Sequence, residues 1–259
     1  MKPITLQIGL VALLLISCKS KVFEPTAPPD YSKIMCAPAT TDIEWYQSDN
    51  IAPLFEGLDV LDWPISADNE LVQKYFNQGM VLAFGFNHAE AARSFYYATK
   101  LDPSCAMAYW GYAYVLGPNY NAGMEPDNYQ RAYAAIEKAK ALVNTNGTDK
   151  EIALIDVMAK RYTATPVDDR SDLDLAYSKA WKTVYQSYPD DATIGTLYAE
   201  SLMNLHPWDL FTAEGEIKEW TPEILSTLNA VIQLEPKHCG AHHFYIHAVE
   251  ASGDPSQGL

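Results

Sequence analysis

The chain is predicted to be all-α, built of helix pairs packed antiparallel and stacked one on the next. Three observations predict this. Residues 72–105 read VQKYFNQGMVLAFGFNHAEAARSFYYATKLDPSC, in which Gly79, Ala91, Phe95, Ala98 and Pro103 follow at steps of 12, 4, 3 and 5. Small residues at Gly79 and Ala91 let two backbones approach, and Phe95 plugs the space between them. Ala98 opens a contact to the next unit. Pro103 ends the second helix, lacking an N–H and clashing with the preceding turn. The second observation is Ala132, Ile136 and Ala139, which repeat the 4-then-3 spacing. The third is helical spacing in run after run, as in Tyr109, Tyr112, Ala113 and Leu116, each run closed by Gly, Pro or Asn. A generic amphipathic helix pair is the competing explanation.

Composition narrows the function. At 48% apolar and 12% aromatic, the 259 residues suffice for a real core in one or two domains. Eighteen Lys and Arg stand against 33 Asp and Glu, a net charge of −15. Nucleic-acid backbones require positive surface, so no nucleic-acid partner is expected.

The chain opens with one positive charge, Lys2, and an apolar run from Ile4 to Ile16, too short to span a bilayer. The run ends in Leu15-Ile16-Ser17-Cys18, which resembles a bacterial lipobox. The resemblance implies a lipoprotein signal peptide over 1–18, lipid attachment at Cys18 and a place in the bacterial cell envelope. Lys19, where Asp would retain a lipoprotein at the inner membrane, implies the outer one. A conventional signal peptide, with Cys18 incidental, is the alternative. Residues 19–40, with Pro25, Pro28, Pro29 and Pro38, read as a tether. Residues 41–66 carry Trp45, Tyr46, Leu54, Phe55, Leu58, Leu61 and Trp63 and are expected to pack irregularly on the first repeat.

Residues 67–259 supply the helices. Ser66 is expected to cap the first, which runs to about Phe86, and Asn87 the second, from His88 to Leu101. Further helices are expected at about 106–116, 127–142, 148–162, 171–188, 192–205, 221–234 and 241–251. Loops 117–126, 163–170 and 208–220 read as insertions. The helices make about four and a half pairs, so the last pair is expected to be incomplete and the chain a fragment. Cys105 and Cys239 are expected at helix starts too far apart to bridge, while Cys36 could reach either.

The five-residue spacing resembles the tetratricopeptide repeat (TPR), a 34-residue helix–turn–helix unit that stacks into a right-handed α-solenoid. GFNHAEAARSF, LDPSCAMAYWGYAYVLGPNYN and HHFYIHAVEAS are similar to a group of exported bacterial TPR proteins with no settled activity. The resemblance implies a concave groove lined by the first helix of each pair, at positions seven and eleven past the preceding proline. These are Trp110 and Tyr114, Thr196 and Glu200, His243 and His247, with Phe76 and Met80 in the first repeat. Trp110 and Tyr114 are the aromatics expected to touch a ligand.

His243 and His247, four apart, share one helix face, as two ligands of one ion would. Glu200, on the adjacent groove helix, is the expected third ligand, and zinc or copper the expected metal. Structural histidines and metal-free acid–base catalysis are the alternatives. His242 is expected in the core, and His238 at the helix entry as a cap or shield. No GxSxG, phosphate loop, CxxC or EF-hand pattern occurs. Three functions follow: a membrane-tethered scaffold holding a peptide or protein segment in its groove, a metal site in that groove with or without enzymatic activity, and glycan capture by exposed aromatics.

Overall fold

The computed structural model describes residues 43–259; the expected signal peptide and tether, with Cys18 and Cys36, lie outside them. Among the described residues every regular element is a helix, apart from two isolated bridges, Asn119–Ala122 and Phe211–Ile217. The fold is all-α. A short helix, α1 (Ile43–Gln47), precedes α2 (Glu70–Phe84), α3 (His88–Leu101), α4 (Ala106–Leu116), α5 (Asn128–Asn146), α6 (Asp149–Met158), α7 (Ser171–Ser187), α8 (Ala192–Met203), α9 (Thr221–Leu234) and α10 (Cys239–Val249). A single 3₁₀ turn, Pro255–Gly258, follows.

Local chemistry sets the boundaries. α2 starts later than expected because Asn69, not Ser66, caps it, its side chain accepting from the Leu71 N–H. Ser66 instead gives both its N–H and its hydroxyl to the Glu151 carboxylate, at 2.6 and 2.7 Å. Glu151 also closes a capping box with Thr148 at the start of α6. One buried carboxylate therefore caps a helix and anchors the segment before α2.

Each helix from α2 onward packs on the next, and α2 also touches α4, α4 touches α6, and α8 touches α10. Phe95 is fully buried, and a Cβ at Gly79 would sit 2.6 Å from its ring. A Cβ at Gly111 on α4 would meet the same ring. These glycines let α2 and α4 close on Phe95, the plug expected from the spacing.

Among the described residues, those expected to line an open groove are packed into the interior instead, apart from the histidine pair. α10 packs back on α2, with Phe84 edge-on to Phe244 at 5.8 Å and its ring where a Gly240 side chain would be. Phe76, Met80, Trp110 and Thr196 are completely buried, and Tyr114 and Glu200 are 3% exposed. Trp63, from the segment before α2, fills the interior further. It stacks on Phe76 at 5.9 Å and meets Trp110 edge-on at 5.8 Å. The Trp110 indole donates to the Leu154 carbonyl at 3.0 Å, a core arrangement. Side-chain amides of α2 hold that segment by its backbone: Gln78 accepts from the Phe55 N–H, Asn77 from that of Trp63, and Gln73 from that of Ile65. The chain's own extended stretch thus lies where a bound peptide was expected.

Candidate metal centre at the histidine pair

Four helices end close together. α2 ends at Phe84 and leads into Phe86. The loop after α4 brings Tyr120, the loop after α8 brings Trp208, and the C-terminal half of α10 brings His243 and His247. Ring contacts join these residues: Phe86 lies 4.7 Å from His243 and 5.1 Å from His247, and Tyr120 and Trp208 lie 6.3 and 6.2 Å from His247. Two of the three loops expected as insertions meet here.

The imidazoles are held by their inner nitrogens. His243 Nδ1 donates to the Phe84 carbonyl at 2.5 Å, one of the carbonyls a helix end leaves without a partner. His247 Nδ1 lies 2.7 Å from Glu250 Oε1. Hydrogen bonds to a carbonyl and a carboxylate each need a proton on Nδ1, so a neutral ring there carries its lone pair on Nε2. The two Nε2 atoms face each other at 3.1 Å. Two lone pairs at that distance repel unless a cation lies between them or one ring gains a second proton. A bound cation or a shared proton would each relieve that repulsion.

The surroundings have the matching sign. A helix C-terminus carries about half a negative charge, and the ends of α2 and α10 both lie at the pair. Glu250 adds a carboxylate. Burial lowers the His243 pKa and outweighs the Phe84 carbonyl, which raises it; His247 adds to the lowering. His243 is thus kept neutral, the form that ligates metal. Two imidazole nitrogens about 2.0–2.1 Å from one ion and about 90–110° apart stand about 2.9–3.4 Å from each other. The observed 3.1 Å falls inside that range.

The backbone is strained at this place alone among the described residues. Phe86 and Trp208 are the non-glycine residues with positive φ, at 59° and 58°. Phe86 ends α2 with a paired return, its N–H to Ala83 and that of Asn87 to Leu82, in a position that glycine normally fills. A bulky ring held there costs on the order of 1–3 kcal/mol, and such strain gathers at functional sites. Trp208 is 59% exposed and stacks on Tyr120 at 5.3 Å.

The other assigned residues lie elsewhere. Glu200 is not a third ligand. Its carboxylate accepts from the Tyr114 hydroxyl at 2.7 Å and from Asn204 at 3.4 Å. Among the described residues no three His, Cys, Asp or Glu side chains come together to hold an ion. His242 is exposed, with Nε2 3.0 Å from the Pro236 carbonyl, and Phe244 takes the core position expected for it. His238 caps α10: Nδ1 accepts from the Ala241 N–H, so Nε2 donates to Thr193. His206 stacks on Trp220 at 4.0 Å. His88 is buried, with neither ring nitrogen bonded. Cys105 and Cys239 are free thiols. Phe86, Tyr120, Trp208 and Glu250 were not anticipated as site residues. The i, i+4 histidine spacing is the one sequence signal that pointed here. No family model matches the chain, and no curated protein or solved structure matches it.

Proposed function

We propose that the protein is a TPR-like helical scaffold, lipid-anchored in the bacterial cell envelope, whose working part is a transition-metal site at His243 and His247. The facing Nε2 atoms, 3.1 Å apart with both Nδ1 atoms held, carry this reading. Anchoring the second nitrogen of each ring is how metal-binding histidines are oriented. Water or a donor from an incoming ligand completes the shell, since two imidazoles leave positions open. Copper(II) stands highest in affinity among divalent first-row ions at nitrogen sites, so copper is the expected ion and zinc the next. Stacking of the helix pairs as in TPR proteins is supported by the glycine-and-Phe95 joint of α2, α3 and α4. The groove reading is weaker, because its six residues outside the histidine pair are buried.

Equilibrium dialysis against copper(II) or zinc, with elemental analysis, tests the proposal. Wild type should retain one equivalent. His243→Ala and His247→Ala should each abolish retention, and His206→Ala should not. Equal retention by the double histidine variant and wild type would reject the site.

A further inference from the structure

We infer that the cavity between α1, α3, α4 and α5 is a second binding site, for a small planar aromatic carboxylate. It lies apart from the histidine pair and does not depend on it. The cavity measures about 340 Å³, within the range of small-ligand sites.

Four tyrosines line it, beside Gln47, Thr99 and residues of α5. Tyr46, Tyr96 and Tyr112 meet edge to face or tilted, with centroids 5.0, 5.3 and 5.6 Å apart, and Tyr109 adds a fourth ring. A planar aromatic guest can join that arrangement by offset or edge contacts, which strengthen it beyond area burial alone.

The charge at the cavity opposes that of the chain. Against a net −15, Arg131 and Lys138 both line it. Arg131 shares its charge with Asp127 at 3.3 Å. Lys138 pairs with no carboxylate among the described residues and is exposed, so its ammonium is free to meet an anion. The Tyr112 hydroxyl accepts from Arg131 at 3.2 Å, which leaves its own proton to donate. Burial raises the Tyr112 pKa to about 12, so that proton is present at physiological pH. One ammonium and one hydroxyl match a single carboxylate. A phosphate dianion would need more donors than the cavity supplies.

Phenylacetate is the probe, with phenylacetamide as its neutral isostere and phenethylamine as its cationic counterpart, each titrated calorimetrically into the full chain. Phenylacetate should bind one to one, and the other two at least about tenfold more weakly. Lys138→Ala should weaken phenylacetate about tenfold, Lys138→Arg should restore most of the loss, and His243→Ala should change nothing. The inference is overturned if phenylacetate fails to bind folded wild type at millimolar concentration. It is equally overturned if the amide binds as well, if Lys138→Ala binds like wild type, or if His243→Ala abolishes binding.

Discussion

His88 and His238 show how single residues tie stability to pH. Burial holds both pKa values at about 4, against an ordinary 6.5. A histidine whose folded pKa is depressed stays neutral in the fold while the unfolded chain takes up a proton. Its contribution is complete above pH 6.5 and is lost as the pH falls toward 4. Each residue removes up to about 3 kcal/mol over that window. Urea midpoints should therefore drop between pH 6.5 and 4, and His88→Phe should flatten the drop. An equally steep drop in the variant would remove His88 from the account. Gly79 makes a separate residue-scale case. Gly79→Leu forces bulk into the Phe95 ring and should cost at least about 1–3 kcal/mol, against under about 0.5 kcal/mol for the exposed Lys237→Ala. Equal melting midpoints would refute the joint. Gly79, Phe95 and the histidine spacing were readable because side-chain size and helical period act locally. Phe86 and Trp208 were not, since nothing in an aromatic residue type announces a positive φ.

At the scale of elements, helix starts and stops were legible wherever a capping side chain or proline sets them, as at Thr148 and Thr221-Pro222. Residues 41–66 were read as packing irregularly on the first repeat, but the depth of the described part was hidden. Its backbone binds to Gln73, Asn77 and Gln78, and no periodicity records that. Trp63 is its anchor: 4% exposed, on Phe76 and Trp110, with its indole donating to Asp191 at 3.2 Å. Trp63→Ala should cost about 3–5 kcal/mol and lower the melting temperature. A variant that melts with wild type would show that the segment is not part of the core.

For the whole molecule, the contact of α10 with α2 decides where function can lie. Of the positions counted from Pro103, Pro189 and Pro236, Trp110, Tyr114, Thr196 and Glu200 are buried, while His243 and His247 are half-buried. What the repeat register cannot show is whether the helices leave the inside open. Here they close it, so Glu200 meets Tyr114 instead of an ion, and the pair at the end of α10 stands without it. Among the described residues no helix is long and apolar enough to cross a membrane. The proposed membrane association rests on Cys18, on the order of apolar run, Ser17 and Cys18. Cys18→Ala should move the protein from the membrane fraction to the aqueous one, and continued fatty-acid labelling of that variant would refute the anchor.

The central claim is that one ion bridges His243 and His247. Its most direct test is pulsed electron paramagnetic resonance of the full chain loaded with one equivalent of copper(II). Two remote imidazole nitrogens on a single copper are expected, with the signal lost in His243→Ala and in His247→Ala and released on acidification, since ligation requires neutral imidazole. A spectrum showing no bound imidazole, or one unchanged in the double variant, would contradict it and leave the pair as a shared-proton contact.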